Sequence, residues 1–218
     1  MKARLLISGL VILILLLTQA CTRSLDPEEP CNFVQSSQMQ RVSWKQDLPV
    51  KLLVHASVPT EAWPSIESAI KHWNEQLAAQ GIQGPAFVVD LWGVGGAVAP
   101  DQDFNNMIYW LNDWEPNLAN QQARTTIYWT GSRIYEADIR INDLNHDFYF
   151  QRDLEAEDQT EFDVKVHFES LMVHELGHVL GLAHNAQAGS VMNTELASGV
   201  ERQSLSKVDT DSVSCEYR

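Results

Sequence analysis

Three histidines and one glutamate carry the chemistry within reach of this chain, in the run His174-Glu175-Leu-Gly-His178-Val-Leu-Gly181-Leu-Ala-His184. On a helix, His174 and His178 stand one turn apart on one face, so both imidazoles can reach a single ion while Glu175 lies beside it. A helix continued to residue 184 would swing the third histidine away. Glycine at 181 can instead take a left-handed conformation, end the helix and fold His184 back toward the ion. Three nitrogen donors leave a fourth tetrahedral position for water, the pattern of a catalytic zinc site and not a structural one. In such a site the ion lowers the pKa of a water toward neutrality and a carboxylate placed like Glu175 takes the proton. The bare H-E-x-x-H pattern arises by chance in a few per cent of chains this long; the added glycine and third histidine reduce that to roughly one in tens of thousands. The implied chemistry is metal-dependent hydrolysis.

The elements that must hold these residues can be traced from hydrophobic periodicity. A helix over 168–180 carries the first two histidines, after a short extended stretch at 164–167. His167 would share their face only if that helix began earlier, and the ligand set is complete without it. Upstream, Ile66, Ala69, Ile70, Trp73 and Leu77 recur at helical spacing, with Pro64 in the first turn and Thr60 as cap. That stripe is core, which leaves His72 facing outward. Strands are expected over 50–54, 86–92, 107–111, 125–129 and 137–141, giving an α+β fold with a twisted mixed sheet. The run Gly93-Val-Gly-Gly96 lacks phosphate-loop spacing, so no nucleotide site is expected there.

Met192 lies eight residues past His184, in Gly189-Ser-Val-Met192-Asn193. Together with the histidine motif it resembles the Met-turn of the metzincin zinc peptidases, whose methionine forms an apolar base beneath the three histidines. The His184 to Met192 separation is that of the matrixin subgroup. Leu205-Ser-Lys-Val-Asp209-Thr-Asp-Ser-Val213-Ser-Cys-Glu-Tyr217 is similar to the matrixin closing helix. There Asp209 matches an aspartate that hydrogen-bonds beneath the Met-turn, although the helix macrodipole alone would also favour a carboxylate at that position. Glu136-Ala-Asp138-Ile-Arg-Ile-Asn142 resembles a family strand next to the substrate-binding edge.

The resemblance implies a metzincin-type catalytic domain: a twisted five-stranded mixed sheet, a long zinc-binding helix, an N-terminal helix and a C-terminal helix. It implies one catalytic zinc held by His174, His178 and His184, Glu175 as general base, and an extended protein or peptide substrate laid along the sheet edge. By the same analogy 147–151 becomes the antiparallel edge strand over the cleft, although the strand candidates then outnumber those of a five-stranded sheet. The chain also departs from family patterns. Thr194 stands where some metzincins add a tyrosine ligand, and Asn193-Thr-Glu-Leu-Ala replaces a Pro-x-Tyr wall. His146-Asp147 lacks the companion histidines of a structural zinc site. The acidic stretch at 153–163 could hold calcium as matrixin loops do, or be a solvated charged loop; it has no regular calcium-loop spacing.

The chain divides into 1–20, a signal peptide; 21–40, a tether; and 41–218, the metallopeptidase domain. Lys2 and Arg4 precede an apolar run over 5–17 that is short for a membrane span, and Ala20 precedes Cys21. Cys21 resembles the lipid-modified cysteine of a bacterial lipoprotein, with its leucine one position further upstream than usual; the other reading is simple cleavage after Ala20. Either exports the protein, to the periplasm-facing or surface side of the envelope or into the medium. With Cys21 assigned to the anchor, Cys31 and Cys215 remain to pair in a disulfide-permissive compartment. An inhibitory role for Cys31 as a zinc ligand is disfavoured, because Glu28-Glu29-Pro30-Cys31-Asn32 lacks the arginine and glycine of that switch. The formal net charge of −14 argues against nucleic acid and anionic lipid headgroups as partners, and membrane contact is expected only through the anchor. The expected protein is a monomeric, exported zinc endopeptidase. The competing readings are a lipid-anchored binding protein that keeps the fold, and a zinc hydrolase of a non-peptide envelope bond.

Overall fold

A computed structural model describes residues 28–45, 47–151 and 160–218. The expected signal segment, Cys21 and the acidic residues Asp153, Glu155, Glu157 and Asp158 lie outside the described residues. In chain order the elements are β1 (Val50–His55), a 3-10 turn (Thr60–Ala62), α1 (Trp63–Ala79), β2 (Phe87–Val94), β3 (Asn106–Leu111), a second 3-10 turn (Pro116–Leu118), β4 (Ala123–Thr130) and β5 (Arg133–Asn142). Then follow β6 (Phe148–Tyr149), the single turn α2 (Thr160–Asp163), β7 (Val166–His167), α3 (Phe168–Val179) and α4 (Lys207–Tyr217).

The main sheet has the order β2-β1-β3-β5-β4. β1 pairs in parallel with β2 and β3, β3 pairs in parallel with β5, and β4 alone runs antiparallel, on the edge beside β5. Gly131, at φ +64°, supplies the left-handed residue of the tight turn between β4 and β5. Alternate apolar residues, among them Val50, Leu52, Val54, Ile108, Ile139 and Ile141, are buried in one core with α1 and α3. The α1 stripe of Ile66, Ala69, Ile70, Trp73 and Leu77 is buried as its spacing requires. Trp73 donates its indole N–H to the Val173 carbonyl at 2.9 Å, which ties α1 to the centre of α3. Asn74 fixes the other side of α1: its amide oxygen accepts the Ala86 and Phe87 N–H groups and its amide nitrogen donates to the Phe87 carbonyl.

The structure differs from the sequence expectation in four places. The antiparallel edge strand is β4, not 147–151. Within 147–151 only Phe148 and Tyr149 pair, in parallel with β7 in a separate two-stranded sheet, because Phe148 and Phe150 turn their rings onto Trp110 and Phe168. Thr60 opens a 3-10 turn, while α1 itself starts at Trp63 with no side-chain cap. His72 is half-buried and meets the Glu169 carboxylate at 2.9 Å, since α3 packs across that flank of α1. The stretch expected as tether up to residue 40 is folded from 31 onward: Cys31 and Cys215 are joined in a disulfide, Phe33 is buried, and Phe33 forms an antiparallel bridge with Leu182.

Candidate active site

The end of α3 decides where the third histidine goes. Gly181 adopts φ +98°, and two bonds close the turn: Leu182 N–H to the Gly177 carbonyl at 3.0 Å and Gly181 N–H to the His178 carbonyl at 2.9 Å, the Schellman arrangement. The carbonyls left at the helix end are each claimed by a distant group. Trp44 donates its indole N–H to Val179 at 2.8 Å, Tyr217 its hydroxyl to Leu180 at 2.7 Å, and Val34 its N–H to Gly181 at 2.9 Å. The chain then runs antiparallel to residues 32–34, with Ala183 N–H on the Asn32 carbonyl at 2.7 Å and the Asn32 side-chain amide on the Ala183 carbonyl at 2.8 Å. His184 follows directly. The supposed tether therefore braces the segment that carries the third histidine.

His174, His178 and His184 are, among the described residues, the one cluster of histidine, cysteine and carboxylate groups whose donor atoms converge closely enough to hold a metal. The His178 Nε2 lies 3.0 Å from His174 Nε2 and 3.1 Å from His184 Nε2. Nδ1 of His174 sits 2.7 Å from the Val191 carbonyl, and Nδ1 of His178 sits 2.8 Å from the Leu182 carbonyl. A carbonyl can only accept, so both Nδ1 atoms carry the proton and both Nε2 atoms present lone pairs to one point. Burial pushes His174 down to about 3, with the closeness of His178 acting the same way, and burial likewise lowers His184. Neutral imidazoles with converging lone pairs repel one another unless a cation lies between them. Nitrogens about 2.0–2.1 Å from a tetrahedral zinc stand about 3.3 Å apart, so the donor set fits that ion.

Glu175 is buried one residue along α3, on the wall of the same cleft. Its Oε2 accepts the Thr125 hydroxyl at 2.5 Å, and no described residue bonds to its Oε1. Burial raises its pKa above the usual carboxylate range, against the lowering effects of the His178 charge and the Thr125 hydrogen bonds. The cleft, about 730 Å³, runs between β4 on one side and residues 182–184 and 193–197 on the other. Beneath it Met192 is fully buried against Gly177 of α3. Asp209 fixes that turn from below: Oδ1 accepts the Ser190 hydroxyl at 2.5 Å, and Oδ2 accepts the Val191 N–H at 3.0 Å. The same Oδ2 accepts the Ser206 N–H and hydroxyl, closing a capping box at the start of α4. His167 and His146 stand apart from the cluster, on Ser170 and on the Ala119 carbonyl.

Three functional residues carried no sequence signal. Thr125 reaches Glu175 from fifty positions away, on β4. Gln122 donates to the Leu196 carbonyl at 2.8 Å, and the Arg202 guanidinium donates to the Asn193 and Glu195 carbonyls at 3.3 and 2.8 Å. These two stiffen the 193–197 wall in place of a proline. Only pairing across the fold brings such groups together, and no local spacing announces it.

A mixed sheet with one antiparallel edge strand, a helix offering two histidines, a glycine-turned third histidine and a buried methionine below define a metzincin-type domain. The family model for matrixin matches residues 31–218, and the chain belongs to that family of zinc metallopeptidases. No curated protein is found to match its sequence. Among solved structures it is similar to the crystal structure of metalloproteinase-II from Bacteroides fragilis, at 13% identity and a TM-score of 0.43, covering 78% of this chain and 54% of that one. This chain thus spans about half the length of that protein.

Proposed function

We propose that the chain is an exported, zinc-dependent endopeptidase. The observation that carries the reading is the convergence of three Nε2 atoms beside Glu175, at the foot of an antiparallel edge strand that an extended peptide can extend. His174, His178 and His184 would hold the ion, and a zinc ion there supplies Lewis acidity toward a water and a peptide carbonyl. The remaining steps belong to the chain. Glu175, through the oxygen that Thr125 leaves unbonded, takes the proton from the attacking water and returns it to the departing amine. β4 orients the substrate backbone along a cleft whose wall includes the apolar side chains of Leu171 and Leu196. Backbone pairing along a strand recognises an internal stretch of chain and not a terminus, which favours cleavage within the substrate.

The test is cleavage of a denatured protein mixture by wild type and Glu175→Ala, with metal content measured in both. The proposal expects one zinc per chain in each and cleavage only in wild type; cleavage surviving the substitution would sink it. The charge pattern of residues 1–20 and the cysteine that follows support export with a lipid anchor at Cys21. Palmitate labelling that persists after Cys21→Ser would dismiss the anchor.

A further inference from the structure

Thr125 lies on the strand proposed to receive the peptide, yet its side chain points to the proton-carrying carboxylate. Its hydroxyl donates to Glu175 Oε2 at 2.5 Å and lies 3.3 Å from the Glu175 carbonyl oxygen. On β4 it stands directly opposite Ile139, whose buried side chain marks the face turned to α3. Glu175 is 4% exposed, and among the described residues Thr125 alone donates to its carboxylate, the hydroxyl at 2.5 Å on Oε2 with the Thr125 backbone beside it, so this residue fixes which oxygen faces the cleft. A carboxylate free to rotate about its last bond would share both oxygens between the two orientations. With Oε2 committed to Thr125, Oε1 alone is left toward the water.

We infer that Thr125 is a positioning residue for the hydrolysis proposed above: it locks the Glu175 carboxylate with Oε1 toward the reacting water and ties the peptide-binding strand to the proton carrier. The inference rests on the peptidase reading. A hydrogen bond from a hydroxyl to a carboxylate is among the stronger side-chain bonds, and orientation of a proton carrier acts on the chemical step more than on binding. Thr125 is also β-branched and fits a strand, so valine at that position keeps shape and strand preference while deleting only the donor.

The full chain loaded with zinc is assayed on a peptide taken from the wild-type cleavage products, as wild type, Thr125→Val and Thr125→Ser. Thr125→Val should lower kcat by about 10- to 30-fold with KM within about twofold and one zinc per chain, and Thr125→Ser should recover most of that loss. A valine variant with wild-type kcat, a serine variant as slow as valine, or loss of zinc with kcat would each overturn the inference. A second measurement needs no turnover. In urea unfolding of the metal-free protein, the effect of Thr125→Val should shrink once Glu175→Leu is present, leaving at most the contact to the residue 175 carbonyl, whereas additive effects overturn the proposed link. A wild type that cleaves no peptide would overturn the peptidase reading, and with it the catalytic half of this inference. Wild-type cleavage with an unimpaired valine variant overturns this inference alone.

Discussion

Gly177, the residue before His178, lies directly against the Met192 sulfur. A β-carbon at 177 would overlap that sulfur and come within 3.1 Å of both Met192 Cε and the Trp73 ring. The second variable position of the H-E-x-x-H motif is therefore constrained by the Met-turn beneath it. Gly177→Ala would gain about 0.8–1.0 kcal/mol of helix propensity, but overpacking a buried contact costs about 1–3 kcal/mol, and here the buried end of Met192 and the Trp73 ring must both move. We expect a net loss of about 1 kcal/mol in urea unfolding and weaker zinc binding, because the displaced turn carries the Val191 carbonyl that orients His174. A variant as stable as wild type would show that Met192 yields freely.

Asp209 joins the Met-turn to α4 through one buried carboxylate that accepts from Ser190, Val191 and Ser206. In Asp209→Asn an amide nitrogen replaces one acceptor oxygen and faces donors it cannot serve. Loss of a charged acceptor with its partners left buried costs about 3 kcal/mol, so both unfolding free energy and zinc affinity should fall. Unfolding within 0.5 kcal/mol of wild type, a bound chosen as about the noise of such a measurement, would refute this.

What could be read from the chain depended on distance along it. The two helical histidines, the glycine turn and the α1 stripe obey spacings of three or four residues, so they were legible. The identity of the edge strand was not, because 123–130 and 147–151 both carry strand-like side chains and only pairing partners separate them. Phe148 and Phe150 serve as packing rings on Phe168, a use that resembles a strand in one dimension. The role of 31–34 was hidden for the same reason. Polar composition suggested a tether, whereas its backbone groups are the partners that Gly181 and Ala183 require.

The disulfide between Cys31 and Cys215 closes a loop of sequence separation 184 and anchors the stretch that pairs with Gly181 and Ala183. Chain entropy alone assigns such a closure about 5 kcal/mol at most. Replacing both cysteines by serine should lower stability by part of that amount. It should also weaken zinc binding more than a comparable loss elsewhere would, since the brace behind His184 loosens. Zinc titration of the double serine variant, beside a core variant of equal stability, checks this; equal zinc affinity in the two would dismiss the brace.

Asp138 and His174 give the metal-free protein opposite responses to acid. Burial, with the charges of Glu136 and Asp103, pushes Asp138 up to about 7 from 3.8, while one of its oxygens has no partner among the described residues and the other accepts the Met107 N–H. Its folded pKa is raised, so its contribution is complete below about 3.8 and is lost as pH rises through about 7. His174, held down at about 3 against 6.5, behaves inversely. Its contribution is complete above 6.5 and is lost as pH falls toward 3. The two slopes overlap and partly cancel, so wild-type stability alone cannot separate them. Asp138→Asn removes one. In chelator, this variant should be more stable than wild type at pH 8, where the buried carboxylate is charged, and the advantage should vanish by pH 4, where both forms are neutral. A difference of equal size at the two pH values would mean that the substitution acts through packing and not through the charge.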